Sequence, residues 1–349
     1  MKKISAVQLG FAFAGSFLGA GYVSGQEMWQ FFGRFGGWGF PGLLVAMILV
    51  GSFGVMTMEL ARKTGIIEMD RLVVEKDIPL LRRAIGIMQM VMLFGFTVAM
   101  CAAGAALCNQ QWGIPTVAAS VVFSAAVAAL SLMGMTGLVN AFSALVPLLS
   151  AVTILLGVTA VVRGGGVVIG TAEAASGSWL VSAVTFFAYN SFGVIGLLIP
   201  MGGMARDGRS VRRGVGLGCI ILAAIALGAL AAVGAVPGSE TAEMPVLAVI
   251  AEYFPRLAPA YAVVLLLAIF CAAVSCLVAM TTFLEEKSDA FRARRMPWII
   301  GGMAAAMLCS LAGFSDLVGT VYPIFGYCGF VFLGMLFLHW LHRRKELKD

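Results

Sequence analysis

The chain has 349 residues, of which 61% are hydrophobic and 11% charged, with a formal net charge of +6. Soluble domains carry about 25% charged residues, so this composition excludes a soluble protein and selects a polytopic membrane protein. The apolar runs are about 20 residues or longer and do not alternate, which excludes a membrane barrel and leaves helices.

Ten candidate spans follow in chain order, over residues 5–32, 39–61, 83–108, 114–133, 136–162, 179–203, 214–236, 257–284, 296–313 and 319–341. The expected architecture is an all-α polytopic protein with one transmembrane domain, 1–349, and no soluble portion long enough to fold alone. The first run opens on Met1-Lys2-Lys3, as a signal peptide does, but it stays apolar to Phe32, too far for an ordinary signal core. It therefore reads as a span.

Basic residues set the orientation. With the N-terminus inside, ten spans return the C-terminus to the cytoplasm. Lys2, Lys3, Arg62, Lys63, Arg71, Lys76, Arg82, Arg83, Arg206, Arg209, Arg212, Arg213, Lys287, Arg292, Arg294, Arg295, Arg343, Arg344, Lys345 and Lys348 then lie inside. Of the 23 Lys and Arg residues, only Arg34, Arg163 and Arg256 stay outside. This bias accounts for the net charge without nucleic acid. The expected setting is the inner (plasma) membrane, with lipid and a small-molecule substrate as partners. The seven cysteines sit in or beside apolar runs with no Cys-x-x-Cys pair, so they read as small buried hydrophobes.

Ten spans divide into repeats of about 5–162 and 179–341, and five being odd, the two are inverted. The first span of each is irregular. Span 1 contains Gly15-Ser16-Phe17-Leu18-Gly19-Ala20-Gly21-Tyr22-Val23-Ser24-Gly25-Gln26-Glu27. Span 6 contains Phe186-Phe187-Ala188-Tyr189-Asn190-Ser191-Phe192-Gly193-Val194. The pairs Gly15/Gly19 and Gly21/Gly25 also suit close helix packing. Interrupted segments in corresponding places of inverted halves point instead to broken helices 1 and 6 around a transport site.

At these residues the chain resembles the YkvI-like group of amino-acid permeases. More distantly it is similar to the amino acid–polyamine–organocation superfamily and the LeuT fold. The specific matches are Gly19-Ala20-Gly21, the Phe186–Val194 stretch, and Ala279-Met280-Thr281-Thr282-Phe283-Leu284-Glu285-Glu286 at the end of span 8. The resemblance implies a secondary transporter working by alternating access.

A break near Gly19–Gly21 would turn the amides of Ala20, Gly21 and Tyr22 into the gap, where a helix N-terminus favours an anion. The resemblance makes that anion the α-carboxylate of an amino acid. Carbonyls of Phe187, Ala188 and Asn190, in a second break with Tyr189 and Ser191, would accept from its ammonium group. Span 3, around Phe94, Thr97 and Cys101, would complete the pocket. Only Glu27 offers a carboxylate there, so a small neutral amino acid or related zwitterion is expected. Glu27 itself stands open between a gate or proton site and an interfacial position beside Trp29, Phe31, Phe32 and Trp38.

In sodium-dependent relatives, first-helix carbonyls and eighth-helix hydroxyls make a sodium site. Carried over, Gly15 and Leu18 supply carbonyls, but the hydroxyl positions fall on Cys271 and Ala272. Ser275, one turn on, is the remaining hard oxygen, so Na+ coupling through it is one expectation and uncoupled exchange another. No other cofactor is expected. His339 and His342 read as interfacial groups, and Glu59 and Arg62 as a solvated helix end or a cytoplasmic gate pair. No catalytic triad, metal-spaced cluster or phosphate-binding loop is present, so no enzyme is expected. A membrane amino-acid sensor that keeps the site without transport is the alternative. An ion channel would need a continuous polar lining, and only two polar patches are seen.

Overall fold

A computed structural model describes residues 3–66, 69–74, 78–132, 138–163 and 178–343. Lys2, Lys76, Arg344, Lys345 and Lys348 of the basic segments lie outside the described residues. Among the described residues, regular structure is helical apart from one isolated bridge between Ile4 and Ala205. The helices are α1 (Ala6–Phe17), α2 (Ala20–Ser24), α3 (Gln26–Phe31), α4 (Gly39–Thr64), α5 (Met69–Val73), α6 (Pro79–Trp112), α7 (Thr116–Ser131) and α8 (Leu138–Arg163). They continue with α9 (Trp179–Met204), α10 (Gly208–Ala235), α11 (Pro245–Tyr253), α12 (Ala258–Lys287), α13 (Asp289–Ala293), α14 (Arg295–Ser310) and α15 (Phe314–Arg343).

Six of these, α4, α6, α9, α10, α12 and α15, belong to segments long and apolar enough to cross a membrane, and α1 and α7 are shorter apolar helices. Large apolar side chains such as Leu44, Val122, Ile220 and Val331 stand exposed on the outside of the bundle. In water such a surface would aggregate; against lipid it is satisfied. The chain is a multi-helix membrane protein.

The first apolar run is not one helix. Ser5 and Gln8 form a capping box that starts α1, with Gln8 N donating to Ser5 Oγ at 3.2 Å and Ser5 N to Gln8 Oε1 at 3.0 Å. The helix stops in an inverse γ-turn at Leu18 (φ −78°, ψ 85°), where Gly19 N donates to Phe17 O at 2.9 Å. The break thus falls at Leu18–Gly19, slightly before the expected Gly19–Gly21. A second interruption follows at Gly25, whose φ of 84° is the left-handed conformation natural to glycine.

The expected break in the sixth span is corrected. α9 runs unbroken from Trp179 to Met204. A free carbonyl in apolar surroundings costs several kcal/mol, whereas one helical glycine costs only about 1 kcal/mol relative to alanine. Gly193 instead makes room for a ring, since a Cβ there would lie 2.5 Å from Phe96 Cε2. Asn190 Nδ2 donates to the carbonyl of Phe186 at 3.2 Å, one turn back within the helix.

Basic side chains gather at one end of the bundle. Lys3 Nζ donates to the carbonyls of Gly203 (3.2 Å) and Ala205 (3.1 Å), tying the chain start to the α9–α10 turn. Glu59 pairs with Arg212 of α10 at 2.9 Å, so a partnership with Arg62 on its own helix is not formed. Arg212 is 71% exposed, and such pairs contribute about 0–1 kcal/mol. Arg212→Ala is therefore expected to leave the thermal midpoint of the purified protein nearly unchanged. His339 does not snorkel outward: it is buried, with Nδ1 2.6 Å from the carbonyl of Leu72, because α5 folds over the end of α15.

Candidate functional site

A small, partly open cavity of about 70 Å³ lies beside the Leu18–Gly19 break. The end of α1 forms one wall with Gly15, Ser16, Phe17, Leu18 and Gly19. α6 contributes Leu93, Phe96 and Met100, and α9 contributes Tyr189, Asn190, Gly193 and Val194. α12 adds Ala272, Ser275, Cys276 and Ala279, while Glu27 of α3 and Tyr322 of α15 complete it. Four long helices and the broken first segment thus converge on one space.

Glu27 is the carboxylate of this wall. A straight helix would carry it about 9 Å beyond Gly21, but the left-handed turn at Gly25 folds α3 back. The carboxyl reaches the backbone of Gly21 so closely that any Cβ there would overlap it. The Tyr189 hydroxyl donates to Glu27 Oε2. The side chain is only 3% exposed, so the interfacial reading of Glu27 is corrected. Gly25 is itself confined, since a Cβ would lie 2.8 Å from Val246 Cγ2.

Several expected residues do share the cavity: Gly19, Glu27, Tyr189 and Asn190, and the three sodium candidates Gly15, Leu18 and Ser275. Others do not. Ala20, Gly21 and Tyr22 are buried behind the wall; Ala20 N points to Met100 Sδ at 3.4 Å, and the Tyr22 hydroxyl donates to the Leu222 carbonyl at 2.8 Å. α2 has only five residues, too few aligned peptides to sum to a strong dipole. Phe187 faces away and packs edge-on against Phe53, and Ala188 is covered by Gly329 of α15. Carbonyls of Phe187, Ala188 and Asn190 lie inside the unbroken α9, so the expected ammonium acceptors are withdrawn into the helix. Ser191 is fully buried off the cavity. Phe94 and Thr97 sit on neighbouring faces of α6, with Thr97 Oγ1 donating to the Leu93 carbonyl at 2.9 Å.

Phe96 and Tyr322 were not singled out by sequence reasoning. Leu93, Phe96 and Met100 follow a helical i, i+3, i+7 spacing, but so does the adjacent set of Phe94, Thr97 and Cys101. Tyr322, a polar-tipped ring beside Pro323 in an apolar run, was the available signal on α15.

Ser275 tests the sodium reading chemically. Its hydroxyl proton goes to the Cys271 carbonyl at 2.8 Å, which leaves its oxygen lone pairs as hard acceptors. The Leu18 carbonyl belongs to a residue with non-helical ψ, and the Gly15 carbonyl shares the Leu18 N–H at 3.3 Å with that of Ala14. All three are hard oxygens, the ligand type that sodium takes. Among the described residues, no cluster of three or more His, Cys, Asp or Glu gathers.

Comparison with known proteins places the fold. The chain is 24% identical over 352 residues to the uncharacterized membrane protein YkvI of Bacillus subtilis (strain 168), with 99% of either chain covered. No family model matches it. Among solved structures it resembles MhsT in complex with L-phenylalanine (TM-score 0.68, 17% identity, 94% of this chain and 88% of that one). It also resembles inward-facing Mhp1 (TM-score 0.66, 15% identity, 97% and 77% covered). A manganese transporter of Eremococcus coleocola follows (TM-score 0.64, 13% identity, 95% and 78% covered). The fold is the LeuT type, shared across nearly the whole chain.

Proposed function

We propose that the chain is a secondary transporter that moves a small amino acid or related zwitterion by alternating access through the cavity at the α1 break. The observation that carries this reading is the convergence of a helix break, a buried carboxylate and two tyrosines on one cavity, between helices long enough to span a bilayer. Irregular backbone at membrane depth is tolerated where it lines such a space, and transporter sites are built this way. The structural neighbours are transporters, and one holds an amino acid, L-phenylalanine. The absence of a donor cluster among the described residues argues against a manganese-like cargo.

In this reading α1–α3 together make the first of ten spans and α15 the tenth. The halves are inverted repeats, and the basic end, which holds Lys3 and Arg212, faces the cytoplasm. A zwitterion brings no net charge to a cavity that holds one carboxylate. A sodium ion held by Ser275 Oγ and the Gly15 and Leu18 carbonyls would leave the loaded site neutral, which favours symport.

Uptake of labelled alanine, leucine and phenylalanine into proteoliposomes, with and without a sodium gradient, tests both parts. Accumulation is expected; binding without accumulation would favour the sensor. Ser275→Ala is expected to remove sodium-driven accumulation while the protein stays folded. Uptake by the unmutated protein that ignores sodium would end that role for Ser275.

A further inference from the structure

We infer that the Glu27 carboxylate is the ammonium-binding subsite of the cavity, with the Tyr322 hydroxyl as donor to the other end of the ligand. The setting rests on the transport reading above, but the chemistry rests on separate observations. Glu27 is 3% exposed, and no Lys, Arg or His stands among the described residues that line the cavity. Removing an ionised carboxylate from water without a cation costs several kcal/mol. The Tyr189 hydroxyl stabilises that charge without cancelling it. An ammonium group entering through the cavity would offset that charge at the carboxylate itself.

The rings around the carboxylate suit such a guest. Phe96, Tyr189 and Tyr322 pack mutually, with centroids 6.2 Å (Phe96–Tyr189), 5.5 Å (Phe96–Tyr322) and 5.1 Å (Tyr189–Tyr322) apart. Aromatic faces attract ammonium groups, most strongly when desolvated. Tyr322 is 1% exposed, lines the cavity, and its hydroxyl has no hydrogen-bond partner among the described residues. Buried polar atoms without partners are rare. An α-amino acid meets both needs: its ammonium on Glu27 and a carboxylate oxygen on Tyr322 Oη. This arrangement supplies what the unbroken α9 withholds.

The test uses the purified full-length protein and thermal unfolding, since ligands of the native state raise its midpoint. The probes are alanine, ethylamine and propionate, and the larger set leucine, isopentylamine and isocaproate. Each set separates the two ends of one ligand. The amino acid and the amine are expected to stabilise the protein, the amino acid more, and the carboxylic acid is expected to do nothing. In Glu27→Gln, which keeps a group able to accept from Tyr189, affinity for both amino acid and amine should fall about 30-fold or more. Tyr322→Phe should weaken the amino acid and leave the amine unchanged.

Stabilisation by the carboxylic acid equal to that by the amine, or wild-type affinity in Glu27→Gln, overturns the inference. If Glu27→Gln does not fold, the contrast between amine and acid in the unmutated protein decides alone. Proteoliposome uptake of alanine or leucine that persists in Glu27→Gln defeats the subsite and leaves transport standing. Silence from all six probes, together with no uptake, defeats both.

Discussion

Gly21→Ala is expected to abolish amino-acid binding while leaving the protein folded. The position looks harmless, since alanine in a helix is favoured over glycine by about 1 kcal/mol and α2 has ordinary helical backbone. Its neighbour is the difficulty. The added methyl would occupy the space now held by the Glu27 carboxyl, with the carboxyl carbon Cδ only 2.7 Å from the new Cβ. Glu27 has little room to yield, because the tight turn at Gly25 fixes α3 and the Tyr189 hydroxyl holds the carboxylate. Displacing a reacting or binding group by about 1 Å costs on the order of 100-fold. The measurement is ligand-induced stabilisation of the purified variant, with size-exclusion profiles to confirm its fold. A variant that binds leucine like the parent would show that Glu27 moves freely, and the cavity's polar anchor would have to be sought elsewhere.

The second large effect concerns stability. Gly202→Leu should destabilise the bundle by about 3 kcal/mol, whereas Gly203→Leu should be neutral or mildly stabilising. The two glycines are adjacent on α9, so helix propensity cannot separate them. Their surroundings do. A Cβ on Gly202 would lie 2.5 Å from the carbonyl oxygen of Met58 and 2.9 Å from its Cα, while a Cβ on Gly203 meets nothing within 4 Å. The first clash is with backbone, which cannot rotate away, so α4 and α9 would have to part along their contact. Small residues that let backbones approach are the main adhesive of helix bundles in lipid. Thermal unfolding of both variants in detergent checks the pair, and equal midpoints would show that α4 and α9 are less tightly apposed. The same crossing supports the cavity, because α9 carries Tyr189 and Asn190.

These effects explain how the site is held. Glu27 depends on two glycines of its own segment for its position, Gly21 for space and Gly25 for the turn. Tyr189 depends on an α9 kept straight and pressed against α4. The break at Leu18–Gly19 provides the space, and α6, α12 and α15 close it.

What the sequence determined by itself was whatever depends on one segment and its solvent. Composition and run length decided that the chain lives in lipid and is helical, because burying backbone in hydrocarbon leaves few alternatives. Glycine density in span 1 marked a real interruption, and Gly15, Leu18 and Gly19 of that stretch line the cavity beside it. What only the tertiary structure decided was direction. Phe94, Thr97 and Cys101 and their counterparts Leu93, Phe96 and Met100 have the same periodicity, and only the neighbours of α6 determine which set faces the cavity. Asn190, Ser191 and Gly193 weaken a helix locally, yet packing against Phe96 and α15 keeps α9 whole, since no local gain repays free carbonyls in an apolar interior. Glu27 lay between interface and site until Gly25 turned it inward. Tyr322, about three hundred residues away in the chain, met it only through folding.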